Sequence, residues 1–173
     1  MPTGEEIDAY GDSMLVGSLP AMRYYFPGIR QDARSNRQWP EGLNVVRERG
    51  DGNRRAVVLA LGTNAGADKA AIEQVLAALG PRRMVVLVTE HGGFARVESD
   101  NAILREVAAA HENVALADWD VALRDTTGQL QADGIHPSLK GQHLFARTIR
   151  AAFAELTTKH TGTAPPLADL PLP

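Results

Sequence analysis

Three side chains have the types that acyl transfer by a serine nucleophile requires. Ser13 ends a Gly-Asp-Ser motif, and Asp133 and His136 lie three residues apart in one Asp-Gly-Ile-His motif. A serine hydroxyl is a weak nucleophile at neutral pH unless a neighbouring base takes its proton, and histidine can do so. A carboxylate can orient the imidazole and stabilise its cation. We therefore predict Ser13 as nucleophile, His136 as its base and Asp133 as the orienting acid.

Further polar residues have the types that would complete such a site. An oxyanion needs hydrogen-bond donors that already point at it. Asn64 ends a Gly-Thr-Asn motif, so its side-chain amide and the backbone N–H of Ser13 are the predicted donors. Asp118 and Asp120 also follow a predicted strand. Either of them is an alternative to Asp133 as the orienting acid.

Each motif also has a purely structural interpretation. Gly-Asp-Ser is good turn chemistry, so Ser13 could simply cap a helix. Asn64 could be a turn residue, and Asp133 and His136 could belong to a capping loop that Pro137 ends. We favour catalysis because the three motifs occur together, each beside an element that would bring it to the same site.

Apolar, β-branched runs alternate with helical patterns along the chain. Strands are predicted over Glu6–Tyr10, Gly28–Ala33, Ala56–Leu61, Met84–Thr89 and Val114–Asp118. Helices are predicted from Ser18 or Pro20 to Phe26, from Pro40 to Gly50, over Ala70–Leu79, from Ser99 to about Asn113, and over Leu139–Leu156. Such alternation predicts an α/β fold, with a parallel five-stranded sheet of flavodoxin-like order 2-1-3-4-5 in a three-layer α/β/α domain.

The predicted topology places the polar motifs at one edge of the sheet. Ligands of open parallel sheets bind beyond the carboxyl ends of the strands, at the point where the connections diverge. Ser13 follows the first predicted strand, Asn64 the third, and His136 precedes the last helix. We predict one domain over residues 1–156 and a proline-rich flexible tail over 157–173.

Composition excludes several classes of function. The chain has 173 residues, a net charge of −3 and no cysteine. It therefore has no disulfide, thiolate metal site or cysteine nucleophile, and no strong positive field to attract nucleic acid. The Gly62–Gly66 loop lacks the lysine of a phosphate-binding loop. No metal or organic cofactor is expected.

Two features of the sequence give an expectation for localisation. No apolar run approaches the length of a membrane span, and the first residues are polar and acidic, unlike a signal peptide. We expect either a cytoplasmic protein or a domain of a longer chain that carries the targeting elements.

The motifs resemble the conserved blocks of the SGNH (GDSL-type) hydrolases. Gly11–Ser13 is similar to the first block, Gly62–Asn64 to the third and Asp133–His136 to the fifth. A closer likeness is to the extracytoplasmic SGNH domains that are fused to membrane acyltransferase-3 modules, among them cell-wall O-acetyltransferases. This likeness is carried by Leu61–Asn64, by Ser35–Gln38 with Glu41-Gly42 following, by Asp118-Trp119 and by the Asp-Gly-Ile-His loop.

The resemblance implies a function and a setting. It implies Ser13 as nucleophile with Asp133 and His136 as partners, an acetyl group taken from an acyl donor, and a cell-surface glycan or glycolipid as acceptor. It also implies fusion or coupling to a membrane acyltransferase-3 module and an extracytoplasmic location. Two alternatives remain open: a carbohydrate or small-ester esterase of the same fold, and a catalytically silent glycan-binding module.

The sequence departs from the family pattern at two positions. The second block normally supplies a glycine N–H to the oxyanion hole, but Asn36 stands near that position, and Ala65 follows Asn64 where many family hydrolases carry aspartate. Arg37 and Gln38, beside Asn36, are candidates to line the cleft or to form an ordinary loop. His91 begins a His-Gly-Gly segment that is similar to a lipase oxyanion loop but follows the fourth strand, so we interpret it as a rim loop that contacts substrate.

Overall fold

A computed structural model describes residues 1–167 and residue 170. The strands are β1 (Ile7–Gly11), β2 (Arg30–Ala33), β3 (Ala56–Ala60), β4 (Met84–Val88) and β5 (Val114–Ala117). The helices are α1 (Ser13–Tyr25), α2 (Trp39–Arg49), α3 (Lys69–Leu79), α4 (Val97–Ala110), α5 (Trp119–Leu123) and α6 (Leu139–Thr161). The strands pair in parallel in the order β2-β1-β3-β4-β5, which confirms the predicted fold class.

The sheet separates two apolar layers. Every residue of β3 is buried. Alternate side chains of a strand point to opposite faces of the sheet, and helices cover both faces here. Val58 packs in the layer that contains Leu15 of α1 and Phe153 of α6. Leu59 packs in the opposite layer, which α2, α3 and α4 cover. The near-continuous apolar run of this strand therefore follows from burial on both faces.

The first helix begins earlier than the sequence predicts. We expected it to start at Ser18 or Pro20, but it begins at Ser13, where the Asp12 carboxylate accepts a hydrogen bond from the Met14 N–H at 2.9 Å. Ser18 is instead completely buried inside the helix. Pro20 is exposed on the solvent side and is accommodated there. The helix therefore starts at the predicted nucleophile.

Two other helix boundaries differ from the prediction. Ser99 was expected to cap α4, but the helix begins at Val97, and the Ser99 hydroxyl donates to the Arg96 carbonyl at 2.7 Å. The short helix α5 was not predicted, because five residues are too few to show a helical period. The Asp118 carboxylate caps it by accepting from the Val121 N–H at 3.2 Å.

The last helix runs five residues into the predicted tail. It was expected to end near Leu156 but ends at Thr161, with Gly162 in a left-handed conformation after it. Hydroxyl groups of the threonines in this last stretch donate to carbonyls one turn earlier, as Thr157 does to Phe153 at 2.8 Å. The predicted tail also includes residues 168, 169 and 171–173, which lie outside the described residues. None of the helices described is long and apolar enough to cross a membrane.

Candidate active site

The carboxyl edge of the sheet brings three loops together. Gly11 ends β1 immediately before α1, and the Gly62–Gly66 turn follows β3. The third loop precedes α6 and is closed by an antiparallel bridge between Leu130 and Pro137. In that loop the Gln131 N–H donates to the His136 carbonyl at 2.8 Å, which fixes the backbone that carries the histidine.

The predicted nucleophile and base lie in direct contact. The Ser13 Oγ atom is 2.9 Å from His136 Nε2, and His136 Nδ1 is 2.7 Å from an oxygen of Asp133. The Asp133 carboxylate also accepts from the backbone N–H groups of Ile135 and His136, at 2.9 and 3.0 Å. The structure thus aligns hydroxyl, imidazole and carboxylate in the arrangement that activates a serine.

The ionisation of Asp133 determines the tautomer of His136. The hydrogen bond from His136 and the two backbone N–H groups lower the pKa of Asp133 to about 2. A carboxylate accepts hydrogen bonds only, so His136 must carry its proton on Nδ1. The Nε2 lone pair therefore faces the Ser13 hydroxyl and can accept its proton.

Asp118 and Asp120 occupy other positions. Asp118 accepts from Thr89 at 3.1 Å and from Arg105 at 3.2 Å, in addition to capping α5. Asp120 contacts His91, whose Nδ1 atom lies 2.8 Å from its carboxylate. Of the three candidate acids, Asp133 is the one that contacts His136.

Asp12 connects the loop after β1 to the loop after β3. It is completely buried, which raises the pKa of its carboxyl, although hydrogen bonds from Met14 and Thr63 oppose the rise. Ser13 lies in the first turn of α1, where backbone N–H groups have no acceptor within the helix. This N–H therefore has no acceptor within the helix, and its role as an oxyanion donor stays a prediction.

Asn64 lies on an exposed turn beside this helix start. The turn is closed by hydrogen bonds from the Ala65 and Gly66 N–H groups to the Gly62 carbonyl. Arg96, which immediately precedes α4, anchors the turn by donating to the Thr63 carbonyl at 2.6 Å. The amide of Asn64 is thus carried at the rim, and its role as an oxyanion donor stays a prediction.

The segment after β2 contains the other predicted substrate residues. Asn36 is exposed and has φ 64°, a conformation that favours glycine and that asparagine tolerates better than most residues. Arg37 is buried, and its guanidinium donates to the Asp32 carbonyl and carboxylate at 2.5 and 2.7 Å. Gln38 precedes α2, and its N–H donates to Glu41 at 3.0 Å. Asn36 is therefore accessible at the surface, whereas the hydrogen bonds of Arg37 and Gln38 stabilise the local fold.

The segment after β4 contains functional candidates that the motif search did not identify. Glu90 is 3% exposed, and its two carboxylate oxygens have no hydrogen-bond partner among the described residues. Burial and the nearby Asp100 raise the pKa of Glu90 to about 7, against the opposing charge of Arg96. Phe94 is exposed at the same edge. Their position in the segment that follows a buried strand is the signal that could have identified them.

Within the described ranges, no group of three or more histidine, aspartate and glutamate side chains could hold a metal ion. The site instead consists of a hydroxyl, an imidazole and carboxylates.

Comparison with characterised sequences identifies a related protein. No family model matches the chain. A Bacillus subtilis protein named "Putative peptidoglycan O-acetyltransferase YrhL" is 29% identical over 155 residues, which cover 88% of this chain and 24% of that protein. The chain thus spans about a quarter of the length of this relative.

Several solved structures share the fold. The C-terminal catalytic domain of Streptococcus pneumoniae peptidoglycan O-acetyltransferase A, solved with a methylsulfonyl adduct, superposes with a TM-score of 0.79 at 22% identity, covering 87% of this chain and 93% of that one. A lipolytic G-D-S-L family protein of Veillonella parvula gives 0.69 at 17% identity, with coverages of 85% and 97%. A family 3 carbohydrate esterase of Talaromyces cellulolyticus gives 0.68 at 19% identity, with coverages of 87% and 96%.

These similarities confirm the predicted resemblance to the SGNH (GDSL-type) hydrolases. The identity to each solved structure is low, so those comparisons show the fold.

Proposed function

The chain has the fold of the SGNH hydrolases and a likeness to a peptidoglycan O-acetyltransferase, and we propose that it is an O-acyltransferase. It transfers an acetyl group to a hydroxyl of a cell-surface glycan or glycolipid. The observation that carries this proposal is the continuous contact from Ser13 through His136 to Asp133. A hydroxyl with its base at 2.9 Å is suited to form an acyl-enzyme.

The first half-reaction loads the enzyme. Ser13 Oγ attacks the carbonyl carbon of the acyl donor while its proton passes to His136 Nε2. The backbone N–H of Ser13 and the Asn64 amide stabilise the oxyanion. The bond to the donor's leaving group then breaks, and that group takes the proton from His136. The product is an ester on Ser13.

The second half-reaction transfers the acyl group. His136 Nε2 removes the proton from an acceptor hydroxyl, which attacks the ester carbonyl. Ser13 Oγ leaves and regains a proton from His136, so the enzyme returns to its starting state. Asp133 orients the imidazole and stabilises its cation in both half-reactions.

Hydrolysis is the second candidate function. The side chains of His136 and Asp133 are 34% and 44% exposed, so water has access to the base that activates the acceptor. The shared fold with a carbohydrate esterase supports the same alternative. A glycan esterase would use the same acyl-enzyme and release it to water.

A chromogenic acetyl ester, supplied with and without an oligosaccharide acceptor, tests the proposal. Acyl transfer predicts p-nitrophenol release from p-nitrophenyl acetate and a mass gain of one acetyl group on the acceptor. Ser13→Ala should reduce both by about 10³-fold or more, whereas Ser99→Ala, at an exposed serine in α4, should not. Fast hydrolysis without acceptor acetylation favours the esterase. Equal turnover by Ser13→Ala, with no labelling of Ser13 by methanesulfonyl fluoride, favours a silent glycan-binding module.

The surroundings of the domain are part of the same proposal. We propose that the domain lies outside the cytoplasm and is coupled to a membrane acyltransferase-3 module that delivers the acyl group. The greater length of the B. subtilis relative supports this arrangement. An epitope tag in the native host tests it: protease should remove the tag from intact protoplasts, and protection of the tag until lysis would favour the cytoplasmic alternative.

A further inference from the structure

The segment His91–Arg96 connects β4 to α4 at the edge of the sheet where Ser13 lies. His91 borders a small cavity whose wall also includes Met14 and Thr63, the neighbours in sequence of Ser13 and Asn64. On its other side the segment approaches the loop of His136. A Cβ placed on Gly92 would lie 3.0 Å from the Phe94 ring and 3.5 Å from Ile135.

His91 is held in one orientation and one tautomer. Its Nδ1 atom lies 2.8 Å from Asp120, which Arg124 also contacts at 3.1 Å. Burial acts to raise the pKa of Asp120, but the hydrogen bonds from His91 and Arg124 outweigh it and lower the pKa. The ionised carboxylate accepts the Nδ1 proton, so the Nε2 atom of His91 offers a lone pair to a hydroxyl donor. Its side chain is 28% exposed.

Phe94, three residues after His91 in the same segment, presents an aromatic surface to solvent. The residue is 38% exposed, and the Arg96 guanidinium lies 4.5 Å from the ring centroid. Arg96 is itself fixed, because it contacts Asp100 at 3.2 Å and the Thr63 carbonyl at 2.6 Å. A fixed aromatic ring provides contact area at low entropic cost.

We propose that Phe94 and His91 form the subsite that binds a pyranose ring of the acceptor. The ring packs its apolar C–H face on Phe94, and a hydroxyl of the same sugar donates to His91 Nε2. A site with one apolar platform and one oriented acceptor suits a neutral sugar, which has both an apolar face and hydroxyl donors. The inference rests on the proposed function, because it names the acceptor of that same acyl-enzyme.

Acceptor kinetics with chitotetraose, a soluble oligosaccharide, test the subsite. With p-nitrophenyl acetate as donor, Phe94→Ala and His91→Gln should each raise the KM for chitotetraose by about tenfold, with a smaller change in kcat. Phe94→Tyr, which keeps the ring, should restore the KM. Leu167→Ala and His160→Gln, at exposed residues of matching type near the C-terminus, should leave it unchanged.

A binding experiment tests the subsite independently of the proposed transfer reaction. Chitotetraose is titrated into Ser13→Ala protein while the imidazole signals of His91 are followed by NMR. The proposal expects those signals to shift, and expects Phe94→Ala to weaken the apparent affinity. Absence of transfer by the wild type, with binding intact, would overturn the transferase function and leave the subsite standing. Unchanged His91 signals, or a KM insensitive to both substitutions, would overturn the subsite.

Discussion

His136 Nε2 lies 2.9 Å from Ser13 Oγ, although 123 positions separate the two residues in the chain. The contact joins the first turn of α1 to the loop that precedes α6. These two helices pack against each other on one face of the sheet. The relative position of nucleophile and base is therefore set by a helix–helix interface in the core as well as by the loops.

Asp133→Asn should lower kcat by about 10³-fold while the protein stays folded. The amide has no charge to stabilise the imidazolium, and its NH₂ group can favour the wrong tautomer of His136. Steady-state kinetics with p-nitrophenyl acetate measure the effect. Asp125→Asn, at an exposed aspartate, is the matched control.

The pH profile gives a second test of Asp133. Its pKa is lowered to about 2, so its hydrogen bond to His136 is present above the ordinary carboxyl range and is lost only as the pH falls through 2. The carboxylate is thus ionised from about pH 4 upwards, so its own titration does not produce an acid limb of kcat/KM in that range. Asp133→Asn should move that limb to lower pH, because the amide does not stabilise the imidazolium. An acid limb at the same pH in both proteins would contradict this assignment.

Glu90→Gln should flatten the pH dependence of stability. The pKa of Glu90 is raised from 4.5 to about 7 in the fold, so the native state holds a proton that the unfolded chain loses. Stability therefore falls as the pH rises from 4.5 through 7, by on the order of 3 kcal/mol. Urea unfolding of both proteins between about pH 5 and about pH 8 measures the difference.

The control for this experiment is Glu98→Gln, at an exposed glutamate in α4. It should follow the wild-type curve at every pH. The free energy of unfolding of the Glu90→Gln protein should increase relative to that of the wild type as the pH rises. Parallel curves for these two proteins would show that Glu90 does not titrate in this range.

Gly62→Ala should destabilise the protein and reduce its activity. Gly62 has φ 120°, and a Cβ there would overlap the carboxylate of Glu90. The backbone strain alone costs about 1–2 kcal/mol, and relief of the overlap would displace the turn that carries Asn64. Gly52→Ala, where the nearest atom lies at 3.6 Å and φ is ordinary, should change stability by less than about 1 kcal/mol.

A double-mutant cycle separates the overlap from the backbone strain. Shortening the acid in Gly62→Ala/Glu90→Ala should recover part of the lost stability, with a coupling of at least about 1 kcal/mol. Additive effects of the two substitutions would mean that the overlap does not contribute.

Asp8→Asn should destabilise the fold by about 3 kcal/mol without altering the catalytic residues. Asp8 is completely buried, and its carboxylate accepts from Arg30 at 2.5 and 2.8 Å and from the Arg54 N–H at 2.8 Å. Burial acts to raise the pKa of Asp8, but these partners lower it overall, so their stabilisation is lost as the pH falls below its ordinary value of 3.8. Urea unfolding measures the change, with exposed Asp51→Asn as control.

Activity per folded molecule gives a further check on Asp8. The residue lies near the amino end of β1, at the opposite end of the strand from Ser13. The variant should therefore keep its kcat on p-nitrophenyl acetate at temperatures where it is folded. A large fall in kcat would mean that the network around Asp8 also positions the active site.

The sequence by itself determined the sheet and the candidate catalytic residues. Apolar runs such as Ala56–Leu61 are typical of strands buried on both faces, and their alternation with helices predicts a parallel order. That order fixes which loops share an edge, so Ser13, Asn64 and His136 could be assigned to one edge from local patterns alone.

Only the tertiary structure decided which of these groups touch. The sequence favoured Asp133 over Asp118 and Asp120 because it lies three residues before His136, but the contact itself depends on distances of a few ångströms that no local pattern encodes. The same holds for Arg37. The sequence left it as a residue of either the cleft or an ordinary loop, and in the structure its guanidinium donates to the Asp32 carboxylate.

Burial and capping were likewise decided by long-range packing. Glu90 is a common polar residue in sequence, and its raised pKa arises because the fold buries it near Asp100, where its carboxylate oxygens accept no hydrogen bond from the described residues. Helix α1 starts at Ser13, and not at the predicted Ser18 or Pro20, because the buried Asp12 carboxylate caps it by accepting from the Met14 N–H. Local patterns specify the type of each element, whereas ionisation and contact depend on neighbours that are distant in the chain.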